Sequence, residues 1–111
     1  PNAAILLTVP NDSYLFKKYT NANTAKIREA IYGIAREYGY GIWDFYTIMG
    51  GLNSAAAWYN SGLMGKDHIH FNKPGYLLKG DLFFSAFLTT WDDHLQQRDP
   101  VGHPLSSIHH P

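Results

Sequence analysis

The sequence predicts an α/β fold with parallel strands, on three observations. Ala4-Ile5-Leu6-Leu7-Thr8-Val9 is a short apolar run without alternation, closed by the turn-formers Pro10-Asn11-Asp12-Ser13. Such a run suits a strand buried on both faces, as in a parallel sheet. Ile27, Ala30, Ile31, Ile34, Ala35 and Tyr38 then recur at helical spacing, with Lys26, Arg28, Glu29, Arg36 and Glu37 filling the other face. Gly41-Ile42-Trp43-Asp44-Phe45 follows as a second short strand. A strand, a helix and a strand in this order make a right-handed crossover unit.

Each element has its own signals. Asn23-Thr24 offers an N-cap to the first helix, and Gly39 stands where a C-terminal glycine belongs. Met49-Gly50-Gly51-Leu52-Asn53-Ser54 is a glycine-marked loop, Ala55-Ala56-Ala57-Trp58-Tyr59 a short helix capped by Ser54, and Ser61-Gly62-Leu63-Met64-Gly65 another loop. A final helix is expected from Asn72 or Lys73, with Pro74 tolerated in its first turn. Leu78, Leu82, Ala86 and Thr90 form one row along it, and Phe83, Phe87 and Trp91 an adjacent row expected in the core. From Asp92 the periodicity dissolves, so residues 92–111 are expected to be a tail or linker and residues 1–91 the folded part.

Two central-type strands do not make a stable sheet alone, because each leaves an apolar edge with unpaired backbone groups. The remaining strands are expected from an upstream segment, a partner chain or a swapped copy. The start at Pro1 rather than Met agrees with a fragment of a larger domain.

Composition narrows the function classes. Apolar residues make up 45% and charged residues 16% of 111, as in a globular domain of at most one core. Nine basic and nine acidic residues leave no basic stripe for a nucleic acid. With no cysteine there is neither a disulfide frame nor a thiolate metal site. No apolar run approaches the ~20 residues that span a bilayer. Aromatic residues reach 15%, which suits a sugar- or acyl-binding cleft and a core alike.

Chemistry concentrates in Asp67-His68-Ile69-His70. In a turn, residues three apart face one side. The Asp67 carboxylate can then accept from one nitrogen of His70, set its tautomer, and leave the other nitrogen as a base. A polar loop with Asp67 making a local turn bond is the plainer alternative. His68 and His70 also form a His-x-His pair, which on an extended strand could bind zinc with a third ligand from Asp92, Asp93, His94 or His103. Asn11, Asp12 and Ser13 follow a strand, where α/β sites form, though turn chemistry explains them better. Trp43, Trp58 and Tyr59 could stack on a sugar, with core packing expected of Trp43. Ser13 and Ser54 are rejected as nucleophiles in favour of turn and cap roles.

The wider stretch Asp67-His68-Ile69-His70-Phe71-Asn72-Lys73-Pro74-Gly75-Tyr76 resembles the last block of the SGNH, or GDSL-type, esterase and lipase family: Asp, two residues, His, then a link to Gly-Tyr and a closing helix. The strand ending in a Pro-Asn-Asp turn, the amphipathic helix and the second strand agree. The resemblance covers residues 1–91 as the C-terminal part of a three-layer α/β/α parallel-sheet, flavodoxin-like fold. It implies a serine ester hydrolase in which His70 is the general base and Asp67 orients it, with no cofactor. Met49-Gly50-Gly51-Leu52-Asn53-Ser54 with Trp58 resembles a subgroup that deacetylates carbohydrates. That implies an acetylated carbohydrate as substrate and a periplasmic or secreted location. The family's Gly-Asp-Ser block and its later oxyanion-binding glycine and asparagine are absent from these 111 residues, and no Gly-x-Ser-x-Gly elbow replaces them. Since losing a triad serine costs on the order of 10⁶ in turnover, the chain alone is expected to be inactive. Two other readings stay open: a non-catalytic binding or scaffold module, and a small metal-dependent hydrolase using His68 and His70.

Overall fold

The computed structural model describes residues 3–97, and the chain is mixed α and β, dominated by helix. Leu6–Thr8 forms β1 and Gly41–Trp43 forms β4, paired in parallel with Leu6 opposite Gly41, Leu7 opposite Ile42 and Thr8 opposite Trp43. Between them lie the hairpin β2 (Tyr14–Leu15) and β3 (Tyr19–Thr20) and the helix α1 (Asn23–Tyr38). Helices α2 (Phe45–Met49), α3 (Ser54–Asn60) and α4 (Lys73–Gln96) follow.

The β1–α1–β4 unit is the one the periodicity predicts. Gly39 ends α1 at φ 71, donating its N–H to Ala35 O. Thr24 is buried inside α1 rather than capping it, and Asn21 Oδ1 accepts the Asn23 N–H instead. Ile42 and Val9 pack against Ala35 and Ile31 of α1. The next residue, Trp43, belongs to a second cluster with Phe45, Met49, Ala55, Met64, Phe71 and Ala86, and meets Phe83 of α4 edge-on at 4.9 Å. Adjacent strand residues thus serve two cores, as side-chain alternation requires.

Three expectations are corrected. The first strand is not buried on both faces: Ile5 and Leu6 are exposed, and only Val9 at its end is sealed. The row Phe83, Phe87, Trp91 is not a core row, because Phe87 (49%) and Trp91 (52%) face outward while Phe83 packs inward. Helix α4 also passes the expected end of its pattern and runs to Gln96, so residues 92–96 are helical rather than tail. Gln97 is the C-cap of α4, and the remainder of the expected tail, 98–111, lies outside the described residues.

Two elements were not anticipated. The β2–β3 hairpin turns at Phe16 (φ 54) and Lys17 (φ 61), a left-handed pair normally filled by Asn and Gly. Helix α2 is one turn long and starts from Asp44, whose carboxylate accepts the Thr47 N–H at 3.1 Å. The same carboxylate takes Arg28 Nε (2.6 Å), Tyr32 Oη (2.9 Å) and Thr47 Oγ1 (2.8 Å), joining α1 to α2. Burial pushes the Asp44 carboxyl up, but the bonds from Arg28, Thr47 and Tyr32 outweigh it and hold the group below its usual value.

Candidate functional site: the Asp67–His70 turn

Residues 65–70 form a loop whose two ends are pinned together. Met64 and Phe71, both buried, make an antiparallel bridge, and the Gly65 N–H donates to His70 O at 2.8 Å. Behind the loop, the Asn72 side chain caps α4 by accepting the Gly75 N–H at 3.0 Å and donates its own amide to Gly62 O at 2.8 Å. Gly75 has a steric reason to be glycine, since a Cβ there would lie 1.9 Å from Leu63 O. The first turn of α4 therefore rests on the Leu63 backbone, and the loop between them is held at both ends.

Inside this frame Asp67 and His70 come together. His70 Nδ1 lies 2.7 Å from Asp67 Oδ2. The other carboxylate oxygen accepts the backbone N–H groups of Ile69 (2.9 Å) and His70 (3.0 Å). These three donor–acceptor contacts favour the carboxylate over the acid, with the His70 ring bond the strongest influence and the two amides next. They hold Asp67 well below the ordinary aspartate value of 3.8. An ionised Asp67 can only accept, so Nδ1 carries the proton and Nε2 of a neutral His70 carries the lone pair. The His70 side chain is 74% exposed and that of Asp67 23%. The arrangement is an oriented imidazole base open on one side.

His68 goes elsewhere. The segment is a turn, not an extended strand, and His68 sits at φ 56. Its ring stacks on Tyr14 and lies tilted against Tyr59, 4.3 Å from each, and its Nδ1–H donates to Lys66 O at 2.9 Å. The extended geometry that a His-x-His metal pair needs is not formed. Among the described residues, no group of three His, Cys, Asp or Glu side chains is placed to hold a metal ion. The extended strand assumed for the His68–His70 pair is thus replaced by a turn; His103, one of the candidate ligands, lies outside the described residues.

The other candidates are structural. Asp12 is fully buried; its Oδ2 accepts the Ala55 N–H at 2.9 Å, and burial pushes its carboxyl up. Asn11 donates to Asp12 O (2.8 Å) and reaches Ile69 O at 3.5 Å, touching the turn only distantly. Ser54 is buried and donates its hydroxyl to Gly51 O at 2.6 Å. Trp43 is core, and Trp58 packs edge-on against Phe45 and Phe71 with its Nε1–H on Met49 O at 3.0 Å. The Lys79 ammonium lies 4.9 Å from the Phe45 ring centroid and 5.6 Å from that of Phe71, and burial lowers its pKa.

Tyr14 was missed because it lies far from the turn in sequence and belongs to the unanticipated hairpin. Tyr59 was considered for stacking, but on a sugar rather than on His68. Among the described residues no helix is long and apolar enough to cross a membrane. Comparison of the chain with known protein families, with curated proteins and with solved structures finds no match.

Proposed function

We propose that this chain is the C-terminal portion of a serine esterase of the SGNH, or GDSL-type, acylhydrolase kind, to which it contributes the acid–base pair Asp67 and His70. The observation that carries the reading is the 2.7 Å contact between His70 Nδ1 and Asp67 Oδ2, made by a ring that is otherwise open. The block from Asp67 to Tyr76, with its Gly-Tyr helix start, supports it. So does the steric need for Gly75 against Leu63.

In this reading His70 Nε2 takes the proton of a serine hydroxyl as the oxygen attacks an ester carbonyl. Asp67 stabilises the imidazolium that forms and keeps the ring in place. His70 then passes the proton to the leaving alcohol, and water releases the acid from the acyl-enzyme. The serine comes from a Gly-Asp-Ser segment outside these 111 residues, as do the oxyanion donors. Parallel β1 and β4, with α1 packed on Ile42 and α4 on Trp43, suit the end of a three-layer α/β/α, flavodoxin-like sheet. The further strands continue from an unpaired strand edge. An acetylated carbohydrate is the preferred substrate class, by the resemblance of the Met49–Ser54 loop with Trp58, and an exported location goes with it.

The test is hydrolysis of 4-nitrophenyl acetate by the intact protein that contains this chain. His70→Ala is expected to lower kcat by roughly 10⁴–10⁶-fold with an unchanged circular dichroism spectrum, and a chelator to leave turnover unaltered. Undiminished turnover by His70→Ala removes the reading.

A further inference from the structure

His70 has a long way to be wrong. Its side chain is three-quarters exposed, and its ring is bonded to Asp67, a residue of the same loop. What keeps the two aligned is the backbone between them, and there the anchored residue is His68. At φ 56 His68 turns the chain back, so that the Ile69 and His70 amides both reach Asp67 Oδ1. That conformation is uncommon for a residue with a Cβ.

Three elements hold it. The His68 ring meets both Tyr14 of β2 and Tyr59 of α3, with each centroid 4.3 Å away and interplanar angles of 17° and 35°. Its carbonyl accepts the Tyr14 N–H at 2.9 Å, and its own N–H donates to Gly65 O at 3.0 Å. Its Nδ1–H closes back on Lys66 O. The loop is thus tied to the body of the protein through the middle residue as well as through its ends.

We propose that His68 is the positioning residue of the site: clamped against Tyr14 and Tyr59, it sets the turn and so maintains His70 as the Nδ1–H tautomer facing Asp67. This rests on the reading of Asp67 and His70 as an acid–base pair. His68 itself touches no reacting atom.

The experiment uses the intact protein that contains this chain, labelled with ¹⁵N and ¹³C in histidine, at alkaline pH where imidazoles are neutral. Ring shifts report the fraction of His70 protonated on Nδ1. The expected result is a predominant Nδ1–H form in the parent chain. In His68→Gly, which relieves the backbone but removes the ring, the fraction falls to that of the same chain in urea. His68→Asn, which also favours positive φ, loses it too, whereas His68→Phe keeps the stack and retains the Nδ1–H form. Retention in His68→Gly or His68→Asn, or loss in His68→Phe, overturns the proposal. Should His68→Gly lose its helical spectrum, Tyr59→Leu decides the matter, since it removes one clamp ring without altering the turn: loss of the Nδ1–H form supports the clamp and retention overturns it. No ester enters the measurement. A stack-dependent tautomer in an inactive intact protein sinks the esterase reading alone, and a stack-independent tautomer in an active one sinks this inference alone.

Discussion

Asp67 performs two tasks with its two oxygens, and a substitution can separate them. Oδ1 closes the turn by accepting two backbone amides, and Oδ2 holds the His70 ring. Asparagine keeps a carbonyl for the amides but offers an NH₂ to the imidazole, which selects the opposite tautomer. Asp67→Asn is therefore expected to preserve the fold and to lower kcat on an aryl acetate by about 10⁴-fold. Turnover within tenfold of the parent would show that His70 needs no acceptor. The pH behaviour follows from the same bonds. A carboxyl held below its unfolded value stabilises the fold fully above 3.8, and that contribution fades as pH falls through the lowered folded value. The Asp67 carboxyl ¹³C signal should accordingly titrate well below 3.8; a midpoint at or above it contradicts the bonding described. This pair was legible in the sequence because an i, i+3 contact within a turn is local. The clamp on His68 was not, because Tyr14 and Tyr59 reach it from other elements and no local pattern marks a ring that will be stacked.

At the scale of elements, caps and glycines carried most of the information. Asn72 and Pro74 announced the start of α4, and Gly39 the end of α1. The elements that escaped are those whose local chemistry is unusual or brief. Phe16 and Lys17 occupy left-handed conformations that their side chains do not advertise. Helix α2 is a single turn that continues directly from β4 through the Asp44 cap. Helix α4 outran its apolar pattern because helix length also depends on propensity and neighbours, not only on a stripe. The junction of α4 with the Asp67–His70 turn gives a sharp prediction at Gly75. A methyl there meets the Leu63 carbonyl oxygen at 1.9 Å and its carbon at 3.0 Å, both backbone atoms that move only with the loop. Gly75→Ala is expected to cost about 1–3 kcal/mol in urea denaturation and to displace the turn that carries His70. Unaltered stability would show that α4 does not rest on Leu63 in solution.

For the whole molecule, the apolar surface is larger than the described residues can cover. Ile5 and Leu6 lie beside an unpaired strand edge, Ile27, Ile34 and Tyr38 stand out from α1, and Leu77, Phe84, Leu88 and Trp91 stand out from α4. Periodicity picked out Ile27, Ile34 and Tyr38 on α1 and Trp91 on α4 as apolar positions, whereas Leu77, Phe84 and Leu88 stood in neither of the rows read along α4. What periodicity does not contain is the partner, which is why Phe87 and Trp91 were expected in a core and are found exposed. Soluble monomers rarely leave contiguous apolar patches beyond a few hundred Å² uncovered, and a bare parallel edge pairs with whatever strand is available. The 111-residue chain by itself should therefore associate. Sedimentation velocity is expected to show a weight-average mass rising with concentration. Leu6→Lys, which places a charge on the β1 edge, should shift that rise to higher concentration. A chain that stays monomeric at high concentration and binds no hydrophobic dye would mean that these faces need no cover, and the inference of further strands beside β1 would then lose its physical basis.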